Sequence, residues 1–221
     1  MRIFQHKNIE LDELETTTIN GKRHYLTEDG ALPSITSVLS VLSRAGIAEW
    51  RKRVGETEAN RISTQAARRG TNVHQMCEDY LNNELEEKKF LPHERAMFKG
   101  IQKELDKSIG LVYTQESPLY SSYLGVAGRV DCIAEHDGRL AVIDFKTAGK
   151  LKEKRYIENY FQQAAAYCVM FEERTGIPVD KIVIMIAVEN EDNAQVFVEK
   201  RDNWIADLQE TIKIFNKSVD Y

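Results

Sequence analysis

Asp144, Phe145 and Lys146 stand at the end of an apolar run, Leu140-Ala141-Val142-Ile143. In an extended strand residues i and i+2 share a face, so the Asp144 carboxylate and the Lys146 ammonium point the same way while Phe145 enters the opposite layer. His136-Asp137-Gly138 supplies a turn before this strand, and the strand ahead of the turn carries Asp131. A regular hairpin brings Asp131 near Asp144. Two carboxylates held together repel unless a cation lies between them. Mg²⁺ (or Mn²⁺) suits such a pair, because it takes oxygen ligands and keeps waters for a phosphate-bearing substrate. Lys146 beside a metal can hold the attacking water or offset charge developing on a phosphate. A salt bridge on a half-exposed strand is the plainer account of Asp-x-Lys by itself.

The elements that must position these residues can be read from periodicity and punctuation. Residues 1–30 contain TTTINGKRHYLTEDG, where β-branched and aromatic residues around Asn20-Gly21 predict a hairpin. The period changes at LPSITSVLSVLS: Ile35, Val38, Leu39 and Leu42 follow the spacing of one helix face, with Ser34 as N-cap. The hydroxyls of Ser34, Thr36 and Ser37 either cap this helix or receive a phosphate at its start. Helical segments are expected from Ile47 to Glu87, broken at Gly55 and Gly70, and again over 93–109, with Gly110 as the stop. Strands are expected at 111–119, 123–135 and 139–147, then a helix from Tyr156 to Arg174 ended by Gly176 and Pro178. Strands at 181–189 and 194–200 and a helix at 203–217 follow. This order predicts one α/β (α+β) domain over 1–221: an N-terminal hairpin (1–30), a helical part (33–109), a catalytic core (111–200) built on a central mixed sheet flanked by helices, and a closing helix (203–217).

Composition narrows the function classes. No segment reaches the ~18 uninterrupted apolar residues that a membrane span needs. The first residues, MRIFQHKNIELDELE, lack the apolar stretch of a signal peptide and the Arg-rich character of a mitochondrial presequence. With Cys77, Cys132 and Cys168 dispersed and unpaired in spacing, this favours free thiols in a cytoplasm. A net charge of −5 argues against a chain that coats nucleic acid indiscriminately. Residues 51–69 differ locally: Arg51, Lys52, Arg53, Arg61, Arg68 and Arg69 face only Glu56 and Glu58, a net of +4.

Four elements, in order, resemble a known family. GRVD (128–131) followed by IDFKT (143–147) resembles the core of the PD-(D/E)XK nucleases, in their RecB-like exonuclease branch. Upstream, RRGTNVH matches that branch's Gly-x-x-x-His element at Gly70 and His74; downstream, QQAAAY matches its Gln-x-x-x-Tyr element at Gln163 and Tyr167. LPSITSVL ahead of these elements is similar to the mitochondrial genome maintenance exonucleases and their phage relatives. The resemblance implies metal-dependent hydrolysis of single-stranded DNA from free ends, in replication, repair or recombination, in a bacterial or phage-infected host cytoplasm.

Carried over by motif, the resemblance makes His74, Asp131, Asp144 and the Phe145 backbone carbonyl metal ligands and Lys146 the catalytic lysine. Gln163 and Tyr167 would order the site or touch the DNA backbone. Glu116 is either a further ligand or a rim salt bridge, and Glu78, one helical turn past His74, either orients the imidazole or serves a second metal. An iron–sulfur cluster is not expected, since three dispersed cysteines cannot supply four thiolates. Arg51, Lys52, Arg53, Arg61, Arg68 and Arg69 are candidates for a phosphate-tracking wall, with Trp50 or Tyr80 for base stacking. Lys150 heads a second basic stretch, to Arg155, that is either a DNA contact or a solvated loop. Replication or recombination proteins are the candidate protein partners. The rival expectations are a structure- or site-specific endonuclease on the same fold and a non-catalytic nucleic-acid-binding module.

Overall fold

The computed structural model of the protein describes residues 2–7 and 9–219. Thr16–Ile19 (β1), Lys22–Thr27 (β2) and Gly30–Pro33 (β3) form a small antiparallel sheet. Asn20 and Gly21 take φ of 50° and 72°, the positive pair that a two-residue type I′ turn requires. Strand β3 extends the predicted hairpin; with four residues it is too short for alternation to announce it. Buried Tyr25 packs with Tyr120 and Ala127 and fastens this sheet to the larger one.

Two long helices follow, Ile35–Val54 (α1) and Glu56–Leu81 (α2). Ser34 caps α1 by accepting from the Ser37 N–H at 3.2 Å. Leu42 does not join Ile35, Val38 and Leu39 in the core: it is exposed, because α1 has outrun its packing layer and every residue from 42 to 49 faces solvent. Gly55, at φ 85°, separates the helices as predicted. Gly70 does not break α2. One interior glycine costs about 1 kcal/mol of propensity, and the buried face of Val73, Met76, Cys77, Tyr80 and Leu81 outweighs that. Helix Pro92–Ser108 (α3) ends before Gly110, which lies inside the next strand. A Cβ there would sit 2.6 Å from Glu135 Oε2, so this glycine permits a close strand contact and is not a helix stop.

The main sheet has the order Ile109–Ser121 (β4), Val126–His136 (β5), Arg139–Ala148 (β6), Lys181–Val188 (β7), Gln195–Lys200 (β8). Neighbours are antiparallel except β6 and β7, which run parallel and are joined through Glu158–Thr175 (α4), the crossover that parallel strands need. Ile205–Val219 (α5) closes the chain. The architecture is thus α/β, a five-stranded mixed sheet between two helical layers.

Alternation along the strands sorts the core. Val142, Ile182, Ile184 and Ile186 pack with α1, α4 and α5, while Ile143, Phe145, Val183 and Met185 pack with α2 and α3. Both faces of β6 and β7 are covered, hence their continuous apolar sequences. Ala164, Ala165 and Ala166 are fully buried, which places α4 at the centre of its layer. Among the described residues no helix is long and apolar enough to cross a membrane.

Candidate active site at a fork in the sheet

Pairing between β5 and β6 runs from His136↔Arg139 to Cys132↔Ile143 and stops, while β4 and β5 stay paired as far as Ser121↔Val126. The sheet therefore forks at the next positions, Asp131 and Asp144. On the other side of β5, Gln115 pairs with Cys132 and Ser117 with Val130, which sets Glu116 opposite Asp131. Glu116, Asp131 and Asp144 form a row across three strands. His74 comes from α2, in the layer opposite to the one Asp144 faces, and meets the row at the fork. Its Nε2 lies 3.1 Å from Glu116 Oε1 and 3.3 Å from Asp131 Oδ2.

Local backbone features hold the row in place. The Phe145 N–H donates to Asp131 Oδ2 at 2.9 Å, in place of the ladder bond that the fork removes. A strand residue directs its N–H and C=O to the same edge, so the Phe145 carbonyl also faces the fork. Glu116 has φ 46°, a left-handed conformation inside a strand, with a typical cost of about 1–3 kcal/mol. Arg129, from the GRVD stretch, donates to the Glu116 carbonyl oxygen and pairs with Glu13 at 2.9 Å, so it pins the strained residue from behind.

Two cationic groups balance the carboxylates. Lys146 Nζ lies 2.7 Å from Asp144 Oδ1 and 2.6 Å from Oδ2. Burial disfavours its charged form, but Asp144 and Asp131 outweigh burial and raise its pKa, keeping it an ammonium. Burial also works against a charged His74; the Glu116 hydrogen bond and the charges of Asp131, Glu116 and Asp144 overcome it and raise the imidazole to about 9. Asp131 is pushed up to about 7 by burial and then by Asp144, against the pull of Lys146, His74 and the Phe145 N–H. The donor set fits a divalent cation. Ligand atoms of His74, Glu116 and Asp131 lie within 4.8 Å of one another, and His74 Nε2 and Asp144 Oδ2 are buried without an aligned hydrogen bond.

The cluster differs in emphasis from the sequence expectation. Asp144 is held by Lys146, and the tightest convergence includes Glu116, whose one ion-pair partner among the described residues is His74. Glu116 thus makes an ion pair and also stands among the atoms that could converge on a metal, so both alternatives considered for it keep a basis in the geometry. Glu78 lies outside the converging atoms, hydrogen-bonded to Gln75 at 3.2 Å, with its pKa raised by burial and by the nearby Glu116 charge.

Helix α4 lines the other side of Lys146. Gln163 Nε2 lies 3.4 Å from Tyr167 Oη. Tyr167 is buried, which keeps it from a DNA backbone on the surface. A Cβ on Gly128 would meet Tyr167 Cε1 at 2.8 Å and Ile35 Cγ2 at 3.0 Å, which gives the glycine of the GRVD stretch its reason: it lets the Tyr167 ring lie against β5. Tyr160, one turn before Gln163, sets its ring 5.2 Å from Lys146 Nζ. It was not among the predicted residues, and its i−3 spacing from Gln163 was the available signal.

The residues expected to contact DNA fall into three groups. Ser34 is fully buried and bonded to Thr36 and Ser37, so capping accounts for it and a phosphate cannot reach it; Thr36 is exposed and Ser37 partly so. Arg51 pairs with Glu56 and Arg61 with Glu58, the two glutamates already counted in the local +4, and Arg69 pairs with Glu189 outside the stretch, which leaves +3. Lys52, Arg53, Arg68 and Lys150 are exposed and have no carboxylate partner among the described residues. Trp50 is half-buried. Tyr80 is in the core, donating to Asp106 at 2.6 Å, and offers no stacking surface.

Comparisons with known proteins bear on this site. Residues 42–216 match the sequence profile of the PD-(D/E)XK nuclease superfamily. The chain is 32% identical over 151 residues to Mitochondrial genome maintenance exonuclease 1 of Xenopus tropicalis, a match covering 63% of this chain and 43% of that protein. It thus spans less than half the length of that relative. A crystal structure of SSO0001 shares 14% identity and a TM-score of 0.39, covering 76% of this chain and 70% of that one, a likeness too slight to carry an argument.

Proposed function

The chain belongs to the PD-(D/E)XK nuclease superfamily, and on that premise we propose that it is a Mg²⁺-dependent exonuclease that hydrolyses single-stranded DNA from free ends. The observation that carries the proposal is the row Glu116–Asp131–Asp144 at the fork, joined there by His74 and Lys146. A binding module gains nothing from buried carboxylates that repel phosphate. A phosphodiester hydrolase needs them.

His74, Glu116 and Asp131, with Asp144 and the Phe145 carbonyl adjacent, are the residues that would hold the cation. When bound, a divalent cation supplies Lewis acidity and lowers the pKa of water. Lys146 donates to Asp144 Oδ1 and is backed by the Tyr160 ring, which leaves its remaining protons to orient the attacking water or offset charge on the phosphate. Gln163 and Tyr167 keep α4 in register with β5, and the Asp131–Phe145 bond fixes the carboxylate angle. Lys52, Arg53, Arg68 and Lys150 are proposed phosphate contacts, being the predicted cations left unpaired. The end preference rests on the likeness to the Xenopus tropicalis exonuclease, and the single-strand preference on the motif resemblance drawn from the sequence.

The test is digestion of end-labelled linear and closed circular single-stranded DNA with Mg²⁺, Mn²⁺ or EDTA. Metal-dependent loss of the linear strand alone is the expected result. Nicking of the circle would replace this proposal with an endonuclease, and no cleavage with retained binding would replace it with a binding module.

A further inference from the structure

The segment between the lysine-bearing strand β6 and α4 has features that the hydrolytic chemistry does not use. It leaves β6 at Ala148, passes through Lys150 and Leu151, and turns through a short 3₁₀ helix, Lys154–Tyr156, into α4. Tyr156 is 66% exposed and Leu151 59% exposed, so both forgo burial that would stabilise the fold. The Arg155 guanidinium lies 4.8 Å from the Tyr156 ring centroid and pairs with Glu153 at 3.0 Å. The guanidinium thus lies over one face of a tyrosine ring that remains largely exposed.

This segment is not slack. Gln195 of β8 accepts from the Lys152 N–H at 2.7 Å and donates to the Lys152 carbonyl at 3.0 Å, the two bonds that a neighbouring strand would make. Both ends are also fixed at the active site. Lys146 lies just before the segment begins, and Tyr160, four residues after Tyr156, rests against Lys146. Four residues of 3₁₀ and α-helical chain advance only about 6–8 Å, which keeps Tyr156 close to the reacting centre.

We propose that Tyr156, backed on one face by Arg155, is a stacking platform for one nucleobase of the single strand next to the scissile phosphate, with Lys150 holding the adjoining backbone. An aromatic face beside exposed cations is what sequence-tolerant recognition of a single strand requires, because every base has a π face and every nucleotide a phosphate. This inference rests on the single-stranded substrate proposed above and adds a base-binding subsite to it.

The experiment measures equilibrium binding of a labelled oligothymidylate and of an abasic strand of the same length, in EDTA, for the parent protein, Tyr156→Ala and Tyr156→Phe. Tyr156→Ala weakens oligothymidylate binding about 5- to 100-fold, as expected when one base stack is removed. Tyr156→Phe keeps parental affinity, and on the abasic strand all three proteins bind alike. Parental affinity in Tyr156→Ala, or an equal loss on the abasic strand, overturns the platform and leaves the substrate proposal standing. Failure of the parent to bind either strand overturns the platform, while the digestion with Mg²⁺ decides the substrate proposal separately. Concentration-dependent self-association that Tyr156→Ala abolishes, with DNA binding unchanged, would make this surface a contact with a second copy of the chain.

Discussion

Charge is concentrated in two regions of the molecule under opposite conditions. At the fork, Asp131 and Asp144 are 8% and 1% exposed, and the cations beside them are raised in pKa by the very carboxylates they balance. Along residues 51–69 the charges lie on helix surfaces, three of the arginines already satisfied by neighbouring glutamates. Exposed pairs of this kind contribute about 0–1 kcal/mol, whereas buried charges in a row are retained against a penalty of several kcal/mol. The difference teaches where to look for chemistry. A charge that folding would rather discard marks a function more reliably than a run of charges that costs nothing.

Variants can break or sharpen that contrast. Lys146→Ala should lower kcat at least about 10²- to 10³-fold, the scale of losing one preorganised donor to developing charge; near-parental turnover of a folded variant in single-turnover assays would remove Lys146 from the chemistry. Asp131→Asn should also abolish cleavage, yet stabilise the metal-free protein at alkaline pH. Asp131 is raised from 3.8 to about 7 and His74 from 6.5 to about 9. A raised pKa contributes stability that is present below the unfolded value and lost as pH rises through the folded one. The metal-free parent should therefore lose stability between about pH 4 and 9, and the asparagine variant should lose less of it, with a melting temperature at pH 8 about 3 °C or more above the parent in EDTA. An unchanged difference between pH 5 and pH 8 would contradict this.

His74→Ala should weaken Mg²⁺ binding about 10-fold or more and flatten its rise with pH, because in the parent a proton must leave His74 before the cation is bound; titration calorimetry at pH 7 and pH 9 reads both. The exposed region should respond least. Arg68→Ala should reduce the salt slope of single-strand binding by about 0.7 for each phosphate that the variant no longer neutralises, while Arg61→Ala, whose guanidinium is occupied by Glu58, should change binding less than about 2-fold. Equal losses in the two arginine variants would show that surface pairing does not withhold Arg61 from DNA.

Much of this arrangement was legible before the fold was known. The Asn20-Gly21 turn, the Ser34 cap and the β5–β6 hairpin each follow from local chemistry that tertiary contacts reinforce. His74, Asp131 and Asp144 came from motif order, and periodicity alone places the last two on neighbouring strands. What was not legible depended on long-range packing. Gly70 sits in a helix that the sheet holds straight, Gly110 in a strand that needs close contact with Glu135, and Tyr80 on a face whose burial only α3 and the sheet decide. The fork could not be anticipated from β5 or β6, since both read as continuous strands, and without it His74 in one layer has no path to Asp144, which faces the other. Tyr160 and Arg129 contact Lys146 and the Glu116 carbonyl, residues of the site itself, so their residue types gave no separate sign.

The left-handed backbone of Glu116 has an evolutionary consequence. Glycine adopts that conformation freely, and Glu116→Gly would relieve strain and remove one of the crowded carboxylates at once. A laboratory selection for heat resistance that ignored catalysis should therefore converge on position 116, and each winning clone would be a sturdier protein that no longer cuts. Persistence of glutamate there under combined selection for both properties would identify the residue as one that stability alone would discard.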